Sequence, residues 1–346
     1  MKKFEKVEDY IYEMVSNQFI SGISVGVSYK GSNEVLVAGS NQFGGNATPI
    51  NDHTLFDIAS LTKVVSTTTL ILKMVEEGFF SLNTPLIELL PDVRFSEINI
   101  KQILTHTSGI IHDDKAYRKL HTKQELRDLI MKEDLAYEPG TKVVYSDLAF
   151  ILLGFIIEKY FGDIETAAAE YIFKPLHMEH TCYCPLEKGY ERNQIMATEV
   201  QKTDRGLIQG EVHDGKAHLL QGKSGNAGIF STAEDLLKFG NMLLSGDSKV
   251  LSRSSKKLLH QSYTEGLMEN RTLGWLRNDE SCAFGDYAST DCLFHTGFTG
   301  TSIYVDFERE VVIVLLTNAV HPARENPNIS RIRHVTHNLI LKEIDY

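Results

Sequence analysis

Apolar residues recur along this chain with two different periods. Phe4, Val7, Ile11, Met14 and Val15 fall three or four residues apart, with Glu5, Glu8, Asp9 and Glu13 between them, which is the pattern of an amphipathic helix. Residues 23–29 and 34–38 are short β-branched runs separated by Lys30-Gly31-Ser32-Asn33, the pattern of a hairpin. A second hairpin follows from residues 302–307 and 311–316 around Glu308-Arg309-Glu310, and helical periodicity runs from 330 to 344. Between the ends, residues 61–77, 123–131, 147–160 and 163–173 carry helical patterns, with Gly78 and Gly162 placed as stops. The pattern predicts an α/β (α+β) fold. One antiparallel β-sheet is assembled from both ends of the chain and flanked by N- and C-terminal helices, and a mainly helical subdomain lies between. Residues 1–346 are expected to form one domain, its sheet part at approximately 1–60 and 225–346 and its helical part at approximately 61–224, since no repeat or low-complexity linker interrupts them.

Composition narrows the function. With 346 residues, 42% hydrophobic and 23% charged, the chain has ample material for a buried core. A formal charge of -11 argues against nucleic acid and against an anionic membrane surface, both of which attract basic proteins. The longest apolar run, residues 148–157, is too short for the roughly 20 residues that a membrane-spanning helix needs. Acidic residues interrupt the N-terminal apolar positions, so a cytoplasmic location is expected. Cys182, Cys184, Cys282 and Cys292 lack Cys-x-x-Cys spacing and are expected as thiols. His177, His180, Cys182 and Cys184 crowd together, but their irregular spacing favours a connecting loop over a zinc site. No cofactor or metal is expected.

The chemistry lies in three short elements: Ser60-Leu61-Thr62-Lys63, Tyr145-Ser146-Asp147 and His295-Thr296-Gly297. A serine needs a base to attack a carbonyl at neutral pH, and a lysine one helical turn away lies within its reach. Ser254 and Lys257 share that spacing, but they sit in a polar stretch with no matching surroundings. Taken in order, the three elements resemble the serine β-lactamase and penicillin-binding protein superfamily. Residues 56–63, Ile103 through Gly109, Pro139-Gly140 and residues 225–237 are similar to the class C β-lactamase, esterase and D-aminopeptidase branch. Val212-His213-Asp214, residues 228–233, and residues 295–301 followed by Leu316-Thr317-Asn318 resemble muropeptide amidases within it. The resemblance implies a β-lactamase/transpeptidase-like fold. It also implies a serine hydrolase that cleaves an ester or amide, with cell-wall-derived peptide fragments among the candidate substrates, through an acyl-enzyme on Ser60. The partner is then a small molecule or peptide fragment.

Each residue has a bland reading beside the chemical one. Ser60 fits a nucleophile better than a helix cap. Lys63 acts as a base only if burial or a second cation destabilises its ammonium. Tyr145 is its expected partner in proton transfer, and the sequence leaves open which of the two is the main base. By the resemblance, Asp147 stands where many relatives have asparagine; a carboxylate there favours the Lys63 ammonium. His295 replaces the usual lysine and is mostly neutral at pH 7, which argues against strong carboxylate recognition and rapid penicillin turnover. Thr296 and Gly297 are expected on an edge strand beside the substrate, with the Phe298 and Ser60 N–H groups as oxyanion hole. His213, Asp214, Ser224, Gly225 and Asn226 read either as the substrate end of a cleft or as a solvated turn. His106 through Gly109 read as a loop brace. The alternative function is a penicillin-binding or ligand-sensing protein with little turnover, or a weak β-lactamase.

Overall fold

A computed structural model of the protein describes residues 4–95, 97–111, 115–278 and 284–345. Cys282 lies outside the described residues. The N-terminal periodic segment forms helix α1 (Glu5–Ser16), and the first hairpin forms β1 (Gly22–Tyr29) and β2 (Ser32–Gly39). The apolar run in the middle is the core of α2 (Asp147–Phe161), and α3 (Ala233–Leu244) follows it. The C-terminal part supplies β3 (Cys292–Thr296), β4 (Ser302–Asp306), β5 (Val311–Thr317) and α4 (Ile329–Ile344). The five strands form one antiparallel sheet in the order β2-β1-β5-β4-β3, so the two ends of the chain meet at its centre, where Ile23 lies opposite Thr317.

The two-residue alternation of β5 gives the sheet two apolar faces. Val311, Ile313 and Leu315 pack with Ile23, Val25 and Val27 of β1 against α1 and α4. Val312, Val314 and Leu316 point the other way, into the larger core shared with α3 and the helical region. On that second face β1 carries Ser24, Gly26 and Ser28. A Cβ on Gly26 would meet Leu237 of α3 at 3.1 Å, so glycine lets helix and sheet approach closely.

Helix α2 is buried along Leu148–Ile157, which explains a ten-residue run without polar interruption. Ser146 caps it by accepting a hydrogen bond from the Ala149 N–H at 3.2 Å, and Gly162 ends it at φ +80°. The helical patterns at 61–77 and 163–173 are more varied than their periodicity predicts. The first is a 3-10 turn (Ala59–Leu61), then a π-helical segment (Lys63–Thr68), then an α-helix (Thr69–Glu76); the second changes from α to π at Ala169. Apolar spacing does not distinguish these wider and tighter turns.

Among the described residues no helix is long and apolar enough to cross a membrane. Cys182 pairs with Phe230 in a short strand, the Cys184 thiol donates to the Gln221 carbonyl at 3.3 Å, and His180 Nδ1 lies 3.2 Å from the Tyr190 hydroxyl.

Candidate active site

The first wall is built on a buried carboxylate. Asp57 accepts hydrogen bonds from the N–H groups of Ala59 at 2.8 Å and His213 at 2.7 Å, and burial raises its pKa against those bonds. They hold Ala59 at φ +47°, a left-handed conformation that costs a non-glycine residue ~1–3 kcal/mol and recurs at functional sites. Ser60 therefore sits on a sharp turn, inside the 3-10 turn Ala59–Leu61 that opens the helical stretch. The π-helical widening then carries Lys63 into the interior, fully buried, with its three ammonium donors satisfied. Nζ reaches Ser60 Oγ at 3.0 Å, Asp147 Oδ1 at 2.7 Å and the Asn226 carbonyl at 3.0 Å.

Tyr145 and Asp147 form the second wall at the start of α2, where the helix dipole favours an anion. Burial alone would depress the Lys63 pKa, but the nearby Asp147 and Tyr145 outweigh it and hold the group above the ordinary lysine value. Burial would raise the Asp147 pKa; Lys63 at 2.7 Å and Lys216 at 3.3 Å instead hold it well below the carboxylate range. The Tyr145 phenol is raised by burial, with Lys63 and Ser60 opposing and Asp147 adding to the effect. His106 stacks on the Tyr145 ring at 4.6 Å and accepts the Ser146 N–H at 3.1 Å, so this loop is braced as its sequence predicts. Asp147→Asn should move the acid limb of the pH–kcat/KM profile to lower pH by on the order of one unit, because the lost carboxylate raises both Lys63 and Tyr145. A limb that stays in place or moves upward would contradict this electrostatic account.

The third wall is the end of β3, the edge strand. His295 is buried with its Nδ1 2.9 Å from the Thr296 carbonyl, which makes that nitrogen the proton-bearing one. Burial, then the charges of Lys63 and Arg271, lower its pKa to about 3, so it is neutral at physiological pH. Gly297 is small because of the protein itself: a Cβ there would lie 2.5 Å from the Ile58 carbonyl and 2.1 Å from Thr301 Oγ1. Thr299 and Thr301 donate to the carbonyls of Asp57 and Ile58 at 2.7 and 3.1 Å, lashing this loop to the Ser60 turn. Gly297→Ala should push the two walls apart, lowering kcat/KM by at least ~100-fold and Tm by several degrees, measured by steady-state kinetics and thermal denaturation.

The walls enclose a cavity of about 550 Å³ whose lining includes Ser60, Tyr145, Asp147, Asn226, Thr296 and Phe298, a volume suited to a small ligand. A profile of the Beta-lactamase family matches residues 7–337. The chain belongs to the Beta-lactamase family. Among its relatives in this Beta-lactamase family, the N-acetylmuramyl-L-alanine amidase of Bacillus subtilis (strain 168) is 32% identical over 315 residues, 80% of this chain and 71% of the relative. The putative D-alanyl-D-alanine carboxypeptidase of Escherichia coli (strain K12) is 31% identical over 318 residues, 80% and 72% of the two chains. The structure of EstCE1, a hydrolase with promiscuous acyltransferase activity, superposes with a TM-score of 0.77 at 20% identity over 98% of both chains, a likeness of fold. The protein is a Beta-lactamase-family serine hydrolase of ester or amide bonds.

Within this Beta-lactamase fold, the three sequence elements meet at one cavity, while Ser254 and Lys257 are exposed elsewhere on the helix Arg253–Leu259. His213, Ser224 and Asn226 are buried, which overturns the solvated-turn reading of that segment. A Cβ on Gly225 would lie 2.2 Å from the Phe150 carbonyl; glycine lets the loop sit on α2 and bring the Asn226 carbonyl to Lys63. Sequence reasoning missed Asp57, Lys216 and Arg271. Lys216 is buried beside Asp147, and Arg271 lies over the Tyr145 ring at 5.8 Å with its Nε donating to Glu269 at 2.7 Å. Asp57 lies inside the 56–63 run, where the chemistry drew attention to Ser60 and Lys63 instead; Arg271 belongs to no local motif, and only the Asp214-Gly215-Lys216-Ala217 helix start marked Lys216 as more than a surface lysine.

Proposed function

We propose that this hydrolase works through an acyl-enzyme on Ser60. The observation that carries the reading is the contact of Ser60 Oγ with Lys63 Nζ at 3.0 Å, with the Tyr145 ring 4.8 Å from the same ammonium in the wall of the cavity. Asp147 retains the Lys63 proton, so the proton shed to activate the pair is the one on Tyr145. The phenolate, steadied by the adjacent ammonium, accepts the Ser60 proton as Oγ bonds to the substrate carbonyl carbon. The Phe298 and Ser60 N–H groups take up the oxyanion; among the described residues the Phe298 N–H has no acceptor within the protein. Tyr145 then protonates the departing amine or alkoxide, and in the second half it takes a proton from the water that releases the acyl group.

The names of the two relatives describe amides that end or begin at alanine, which supports an amide in a cell-wall-derived peptide fragment as the substrate. The neutral, buried His295 provides no fixed cation for a carboxylate beside the nucleophile, and this supports slow turnover of penicillins. Treatment with a fluorophosphonate followed by intact-mass analysis should place one adduct on Ser60. Across p-nitrophenyl esters, D-amino acid amides, muropeptides and nitrocefin, kcat/KM should be at least ~10-fold lower for nitrocefin than for the preferred ester or amide. A Ser60 adduct without turnover of any of these would make the protein a binding module; rapid nitrocefin hydrolysis would make it a β-lactamase. His295→Gln should leave the pH–rate profile between pH 5 and 8 without a shifted limb, because the His295 pKa of about 3 lies below that window.

A further inference from the structure

Beside the cavity at Ser60 lies a second one of about 850 Å³, and the two share Tyr117, Arg118, His213 and Arg324 in their walls. Phe298 sits at the junction, stacked on the His213 ring at 5.7 Å with the Arg324 guanidinium 5.5 Å above its own ring. On a chain of formal charge -11, this compartment carries four cationic side chains, Arg118, Lys202, Arg205 and Arg324, against two carboxylates, Glu199 and Asp204.

The cations differ in how far the protein neutralises them. Arg324 is paired with Glu199 at 3.0 Å, and that carboxylate also receives His213 Nε2 and Gln201 Nε2, each at 3.0 Å. Arg205 donates from its terminal nitrogens to the backbone carbonyls of His213 and Val212, and its buried Nε has no hydrogen-bond partner among the described residues. Arg118 and Lys202 are exposed and have no ion-pair partner among the described residues. The inner cavity is the reverse case. There Lys63 and Lys216 are held by Asp147 and Arg271 by Glu269, so these three are paired within the protein, and the unpaired Arg118 is shared with the outer compartment.

We propose that the outer compartment binds the carboxylate-bearing distal portion of an elongated substrate, while the inner cavity holds the neutral bond to be cleaved. The inference rests on the reading of Ser60 as nucleophile and assigns the substrate class: an acidic peptide-like molecule with its charge away from the scissile bond. Arg118 and Lys202, exposed and without an ion-pair partner among the described residues, raise the local concentration of such a molecule and retain it once bound.

The test uses competition against hydrolysis of a short p-nitrophenyl ester, with a triglutamyl peptide and its neutral triglutaminyl counterpart as probes. Triglutamate should inhibit about tenfold more tightly than triglutamine, as expected from two solvent-accessible ion pairs of up to ~1 kcal/mol each. Raising the salt concentration should erase much of that advantage. The Arg118→Ala/Lys202→Ala double variant should lose it, with Tm unchanged. Equal inhibition by the two peptides, or an advantage that survives in the double variant, would overturn the proposal. Calorimetric binding of both peptides to Ser60→Ala separates the two readings. If Ser60 proves not to be the nucleophile, the glutamyl preference persists in binding; if the compartment is wrong, the preference is absent whatever Ser60 does.

Discussion

Ser60→Ala should lower kcat/KM by ~1,000-fold or more while leaving the protein folded and its ligand binding nearly intact. The hydroxyl is small, half-buried, and takes part in no core packing that alanine cannot replace, so Tm should stay close to that of the wild type. Its loss removes the atom that bonds to the carbonyl, and the oxyanion donors and cavity shape alone sustain the residual rate. Ser254→Ala is the matched control. Its serine precedes a lysine at the same spacing, but the side chain is exposed and distant from any wall of the cavity, and activity should not change. Loss of activity in the control with retention in Ser60→Ala would reverse the assignment of the nucleophile.

Lys63→Ala and Tyr145→Phe should each cost a comparably large factor, and the double variant should be little worse than the poorer of the two. Groups that pass one proton act as a unit, and removing either breaks the relay. The stability effects should diverge. Lys63 is the closer of two cations holding the Asp147 carboxylate, so its removal leaves that charge with Lys216 alone at 3.3 Å and should cost about 3–5 kcal/mol. Tyr145→Phe keeps the ring that stacks on His106 and the contact of Lys63 with the ring face at 4.8 Å, so it should unfold close to the wild-type temperature. Additive kinetic losses in the double variant would place the two side chains in separate steps.

These expectations show where local sequence carries the structure. The two hairpins and the helix α2 were legible because alternation and an unbroken apolar run are local properties. The meeting of the three motifs was legible through their resemblance to a family, since no periodicity brings Tyr145 to Ser60. The charge state of the site was only half visible. Asp147 beside Lys63 was foreseeable from its place in the motif, whereas Lys216 and Arg271 come from segments with no motif and acquire their roles through burial. Gly297 shows the same limit at smaller scale. Its place beside the substrate was expected from the motif, whereas the carbonyl of Ile58, which requires it to be small, comes from a distant segment.

The central pairing of β1 with β5 also governs the order in which the molecule is assembled. During synthesis the β1–β2 hairpin leaves the ribosome well before its partner, with the edge that will face Val311–Thr317 unpaired and the Ile23, Val25 and Val27 side chains uncovered. Its partner strand follows only after the whole helical region has been made. Until that strand arrives the nascent chain carries an open strand edge, the kind of edge that chaperones cover and aggregates extend. A chain cut short before Val311 would keep most of the helices and the Ser60 turn, yet it would have no central strand to join β1 to β4 and so no firm support for the third wall. Catalytic competence therefore arrives late and at once, with the closing of the sheet.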